Sequence, residues 1–71
     1  MELVNNLADF RKKAGLNQAE LGKLVGVSRQ TISLIERGDY NPSVTVALTI
    51  AKVLDVDINE IFRVEESDEE K

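Results

Sequence analysis

The 71-residue sequence predicts an all-α fold of five short helices. Three observations carry this expectation. Residues whose side-chain oxygens can cap a helix stand just ahead of apolar runs at Asn17, Ser28, Ser43 and Asp57, where they would satisfy the free N–H groups that open a helix. Within each run the apolar residues recur at spacings of three and four, the period of one helix face. The chain also lies well below the size at which a second core forms, so the elements must share a single domain.

The first helix takes its apolar stripe from Leu3, Val4, Leu7 and Phe10 and is closed by Ala14, Gly15 and Leu16. Asn17 followed three residues later by Glu20 reads as a capping pair, and Leu21, Leu24 and Val25 continue a second helix over residues 18–25. Gly26 sits where a left-handed residue ends a helix, Val27 follows as an apolar plug, and Ser28 caps a third helix over residues 29–37. Two residues between helices leave room only for a steep crossing. Leu21, Val25, Val27, Ile32 and Ile35 supply its seam. Gly22 faces the crossing, and its cost of about 0.5 to 1 kcal/mol relative to alanine points to a packing reason.

Asp39, Tyr40, Asn41 and Pro42 form a turn, because proline pushes the residue before it out of helical geometry. Ser43 then caps a fourth helix over residues 44–54. Its many β-branched residues would also suit a strand. The run is too long for a typical strand, and Ala47, Ile50, Ala51 and Leu54 fall on one helical face. Asp57 and Glu60 form a second capping pair and open a short fifth helix carrying Ile58, Ile61 and Phe62, with Val64 just beyond.

At about 100° per residue, the third helix turns Ile32 and Ile35 inward and leaves Arg29, Gln30, Ser33, Leu34 and Arg37 on the opposite side. On an isolated helix this would be a solvated polar face. The same residue types also suit DNA base edges: Arg grips guanine O6 and N7, Gln grips adenine N6 and N7, Ser donates or accepts, and leucine can meet a thymine methyl group.

Composition excludes other classes. The absence of cysteine and histidine removes disulfides, zinc–thiolate sites and the usual general base. No clustered acid–base pair outside the C-terminal tail and no phosphate-cradling glycine loop support an enzyme, and no cofactor or metal is expected. No apolar run approaches the roughly 18 residues of a membrane span, and there is no signal-peptide pattern, so a cytoplasmic location is expected. The formal charge of −4 and pI near 4.7 run against nucleic-acid binding. Distribution resolves the conflict: residues 65–71 hold five acidic groups and one lysine, a sum of −4, so residues 1–64 are neutral. Residues 11–37 carry six basic and two acidic groups, a local +4. The chain therefore divides into a folded domain over residues 1–64 and an acidic, disordered tail over 65–71, which could compete with DNA for the basic face.

Residues 3–62 resemble the phage-repressor and Cro-like helix-turn-helix family, the XRE transcriptional regulators, through FRKKAGLNQAELG, VGVSRQTISLIERG, NPS followed by LTIAKVLDV, and IFRV. The resemblance implies a compact five-helix, lambda-repressor-like bundle whose third helix enters the major groove of double-stranded DNA. It assigns Arg29, Gln30, Ser33 and Leu34 to base edges, and Asn17, Gln18, Arg37, Tyr40 and Asn41 to the sugar-phosphate backbone. Arg11 and Glu36 would form an ion pair that locks the recognition helix. Two copies would meet near Ile58, Ile61, Phe62 and Val64 to read a near-palindromic operator, making the protein a homodimeric repressor without a small-molecule effector; Ile61 and Phe62 equally suit the monomer core, and the sequence does not separate the two. Leu34 and Gly22 depart from the polar residue and the alanine common in such relatives. The rival reading is an antitoxin-like or other protein-interaction module using the helix-turn-helix as scaffold.

Overall fold

In the computed structural model, which describes residues 1–66, the order is β1 (Glu2–Asn5), α1 (Leu7–Lys13), α2 (Gln18–Val25), α3 (Arg29–Glu36), α4 (Val44–Leu54), α5 (Ile58–Ile61) and β2 (Phe62–Glu65). Most of the acidic tail, residues 67–71, lies outside the described residues. The five expected helices are present, but the fold is not purely α. β1 and β2 pair antiparallel, with Leu3 opposite Val64 and Asn5 opposite Phe62.

This sheet corrects both ends of the expected helix pattern. Leu3 and Val4 belong to β1, and α1 begins only at Leu7. Asn5 makes the break: its side-chain Oδ1 accepts from the Leu7 N–H at 3.0 Å, a local turn that competes with helix. Phe62 and Val64 lie in β2, and Glu65, expected in the tail, pairs with Glu2. Adjacent apolar residues such as Leu3 and Val4 fit either period, and the partner that selects strand lies about sixty residues away in sequence.

The helix boundaries follow local chemistry. At α2 the capping box is complete: Asn17 Oδ1 accepts from Glu20 N–H and Glu20 Oε1 accepts from Asn17 N–H, both at 2.8 Å. Ser28 accepts from Thr31 N–H and Ser43 from Val46 N–H, each at 3.1 Å. Asp57 caps α5 through Asn59 N–H at 2.9 Å, and the Glu60 N–H goes to the Asp57 carbonyl, so the expected Asp57–Glu60 box gives way to a simple cap. The β-branched α4 is helical throughout, and Thr49 returns its hydroxyl to the Thr45 carbonyl at 2.7 Å. Asp55 ends that helix in the left-handed region at φ 60°.

Leu7, Leu21, Ile32, Ile35, Ile50 and Ile61 are fully enclosed and form the core with Ala51 and Phe62. Val25, Val27 and Leu54 pack against it. Ile61 and Phe62, 0% and 7% exposed, therefore belong to the monomer core. Of the two places the sequence leaves open for them, the structure puts these side chains in the core, where they offer little area to a second copy. Ile58 is half-buried against the core and Val64 remains 58% exposed.

Candidate nucleic-acid interface

The candidate interface is built on the crossing of α2 and α3. Gly26 adopts φ 94°, and the Gly22 carbonyl accepts from both Gly26 N–H at 2.8 Å and Val27 N–H at 2.9 Å. A Cβ on Gly22 would lie 2.6 Å from the Val27 carbonyl oxygen, so a side chain there would require this turn to shift. This close approach fixes the angle at which α3 leaves the body.

A buried polar network then holds the far end of α3. Arg11 Nε donates to Glu36 Oε2 at 2.6 Å, Nη2 donates to Oε1 at 3.3 Å, and Nη1 reaches the Leu16 carbonyl at 3.0 Å. Both side chains are about nine-tenths buried. The hydrogen bonds that Arg11 donates to Glu36 raise its pKa against the opposing effect of burial, with charge attraction adding to the rise. The guanidinium is therefore charged at every accessible pH, and the pair ties α1 to α3.

Two further contacts could not be read from the sequence. Gln18 Nε2 donates to Glu36 Oε1 at 3.0 Å, bringing the start of α2 into the same network. Asn5 Nδ2 donates to the Ile35 carbonyl at 2.9 Å, stitching β1 to the last turn of α3. The Asn5–Asn6 doublet signals only a turn, and its reach to residue 35 depends on the sheet bringing β1 alongside α3.

Arg29 and Gln30 are exposed on the first turn of α3, while Ser33 and Leu34 are half-buried one turn later. Arg37 caps α3, and Tyr40 and Asn41 stand exposed in the following loop. Arg37 Nε lies 3.3 Å from Asp39 Oδ2 with both side chains largely exposed, a screened pair that a phosphate can replace at little cost. Asn17 spends its side-chain oxygen and its backbone N–H on the capping box, and Gln18 spends one amide hydrogen on Glu36. What these two retain for a phosphate is the Asn17 amide group, the second Gln18 amide hydrogen and the positive end of α2. Among the described residues, Arg29 forms no ion pair. The arrangement leaves the hydrogen-bonding groups of Arg29, Gln30 and Asn41 facing outward. No helix of the described residues is long and apolar enough to cross a membrane, and none of their side chains cluster as a metal site.

Comparison with known proteins follows this geometry. The helix-turn-helix family model matches residues 7–61. An uncharacterized HTH-type transcriptional regulator of Bacillus subtilis (strain 168), YgzD, is 42% identical over 62 residues, covering 87% of this chain and 94% of its own length. An uncharacterized HTH-type transcriptional regulator of Methanocaldococcus jannaschii is 48% identical over 64 residues, covering 90% and 97%. Among solved structures, the P22 c2 repressor in complex with a synthetic operator superposes with a TM-score of 0.72 at 38% identity, over 75% of this chain and 80% of that chain. With the family model spanning most of the sequence and these relatives aligned along nearly their whole length, the chain belongs to the helix-turn-helix family of transcriptional regulators, of the XRE or Cro-like kind.

Proposed function

We propose that the protein is a sequence-specific repressor that places α3 in the major groove of double-stranded DNA and acts by occupying its operator, without chemistry or cofactor. The observation that carries this reading is the anchoring of α3 from three sides, by Arg11, Gln18 and Asn5, while Arg29 and Gln30 stay exposed. A helix held this firmly, with its polar groups directed outward, has already met the entropic cost of presenting them. Arg29, Gln30, Ser33 and Leu34 read base edges, and Asn17, Gln18, Arg37, Tyr40 and Asn41 hold the backbone. The relatives and the P22 c2 repressor support the DNA partner through what their own names state.

The protein acts as a homodimer on a near-palindrome, with Val64 and the exposed part of Ile58 offering apolar surface at this end to a second copy. Selection of bound sites from random duplex DNA tests the whole reading. It should return a two-fold related sequence with half-site centres about 10 to 10.5 base pairs apart. Affinity should fall steeply with salt while preference for the selected sequence persists. Recovery of unrelated sequences, bound equally well, would instead favour the protein-interaction module.

A further inference from the structure

Leu34 stands apart on the reading face. It is half-buried, yet the α3 side chains that pack in the core are Ile32 and Ile35. At about 100° per residue it lies between Gln30, a turn before, and Arg37, nearly a turn after, and both are exposed. Its carbonyl accepts from the Asp39 N–H at 2.9 Å, and the Glu36 anchor lies two residues on. The side chain is thus carried at a fixed place among polar groups and asks for no hydrogen bond.

The major groove offers one apolar feature to such a group, the C5-methyl of a pyrimidine: thymine carries it, and 5-methylcytosine carries it at the same ring position. Guanidinium and carboxamide groups gain little from that methyl, whereas a leucine gains from nothing else on a base edge. Resting on the groove placement proposed above, we infer that Leu34 is a C5-methyl sensor, so that affinity depends on whether the pyrimidine at one position of each half-site is methylated. Thymine is then preferred over uracil, and 5-methylcytosine over cytosine. The consequence is a protein whose occupancy responds to DNA methylation at that position.

The test perturbs the DNA and leaves the protein intact. Starting from the duplex recovered by selection, each thymine is replaced in turn by deoxyuridine and each cytosine by 5-methylcytosine. Every base pair holds one pyrimidine, so the scan covers all positions. One position per half-site should lose about fourfold in affinity on demethylation, or gain about fourfold on methylation, the value of one methyl group removed from water. Leu34→Ala should abolish that ratio. Because the ratio compares two duplexes bound by the same chain, a general loss of folding or affinity in the variant cancels. A flat scan on a well-selected site overturns the inference alone, as does an equal methyl effect in Leu34→Ala. Failure to select any sequence overturns the groove placement and the inference with it.

Discussion

Replacing Glu36 with alanine removes the acceptor for three donors at once: Arg11 Nε at 2.6 Å, Arg11 Nη2 at 3.3 Å and Gln18 Nε2 at 3.0 Å. Arg11, only 8% exposed, would keep a single bond to the Leu16 carbonyl. Leaving one buried charge of a pair uncompensated costs about 3 to 5 kcal/mol. A 71-residue domain has roughly 3.5 to 10 kcal/mol in total at about 0.05 to 0.15 kcal/mol per residue, so the variant should approach the unfolding threshold. At about 4 to 8 °C per kcal/mol for a domain of this size, the thermal midpoint should fall by at least roughly 12 °C. Circular dichroism followed through heat and urea transitions measures both quantities. Arg11→Met alone should cost a similar amount, because it leaves the equally buried Glu36 carboxylate with only the Gln18 amide as donor, and the Arg11→Met/Glu36→Leu double variant should recover most of the loss. A Glu36→Ala midpoint within the error of the parent would refute the reasoning, since a buried pair cannot lose one member without penalty. Because the Arg11 pKa is raised above its ordinary, already strongly basic value, its stabilisation is complete below that ordinary value and is lost only as pH rises beyond it, so these differences should stay constant across neutral pH.

Arg29→Ala should cost about 1 to 3 kcal/mol of binding and relax preference at one base pair, whereas Arg37→Ala should weaken all sequences alike; quantitative binding to the selected site and its single-base variants separates the two. Gly22→Ala gains up to about 1 kcal/mol of helix propensity but drives a Cβ to 2.6 Å from the Val27 carbonyl, so a net loss of about 1 kcal/mol is expected in urea unfolding. A stabilised variant would show that the turn yields easily. Asp55→Gly should raise stability by about 0.5 kcal/mol, since the residue holds φ 60°, a conformation that disfavours a side chain; a lower melting temperature would contradict this. Val64→Asp should shift the protein towards monomer by light scattering while leaving the fold intact, because Val64 is 58% exposed. Phe62→Asp cannot serve that purpose, since it places a carboxylate in the core.

The elements that could be read without a structure are those whose signals lie within a few residues. Asn17 with Glu20, the glycine at residue 26, and Ser28 and Ser43 mark helix ends because each cap is completed by a backbone group two to four positions away. The polar face of α3 followed from the same local period, since Ile32 and Ile35 on one side leave Arg29 and Gln30 on the other. Helix one was drawn too long for the converse reason. Leu3 and Val4 carry no period of their own, and the strand that claims them is residues 62–65.

By itself, then, the sequence determined the helices, the crossing at residues 26 and 27 and the polar face of α3, because caps, turn residues and apolar spacing act over short distances in the chain. Only the tertiary structure decided that β1 pairs with β2, that Ile61 and Phe62 close the monomer core, and that Gln18 and Asn5 support α3. Those outcomes depend on contacts between residues far apart in sequence, whose free energy exists only once the core has brought them together.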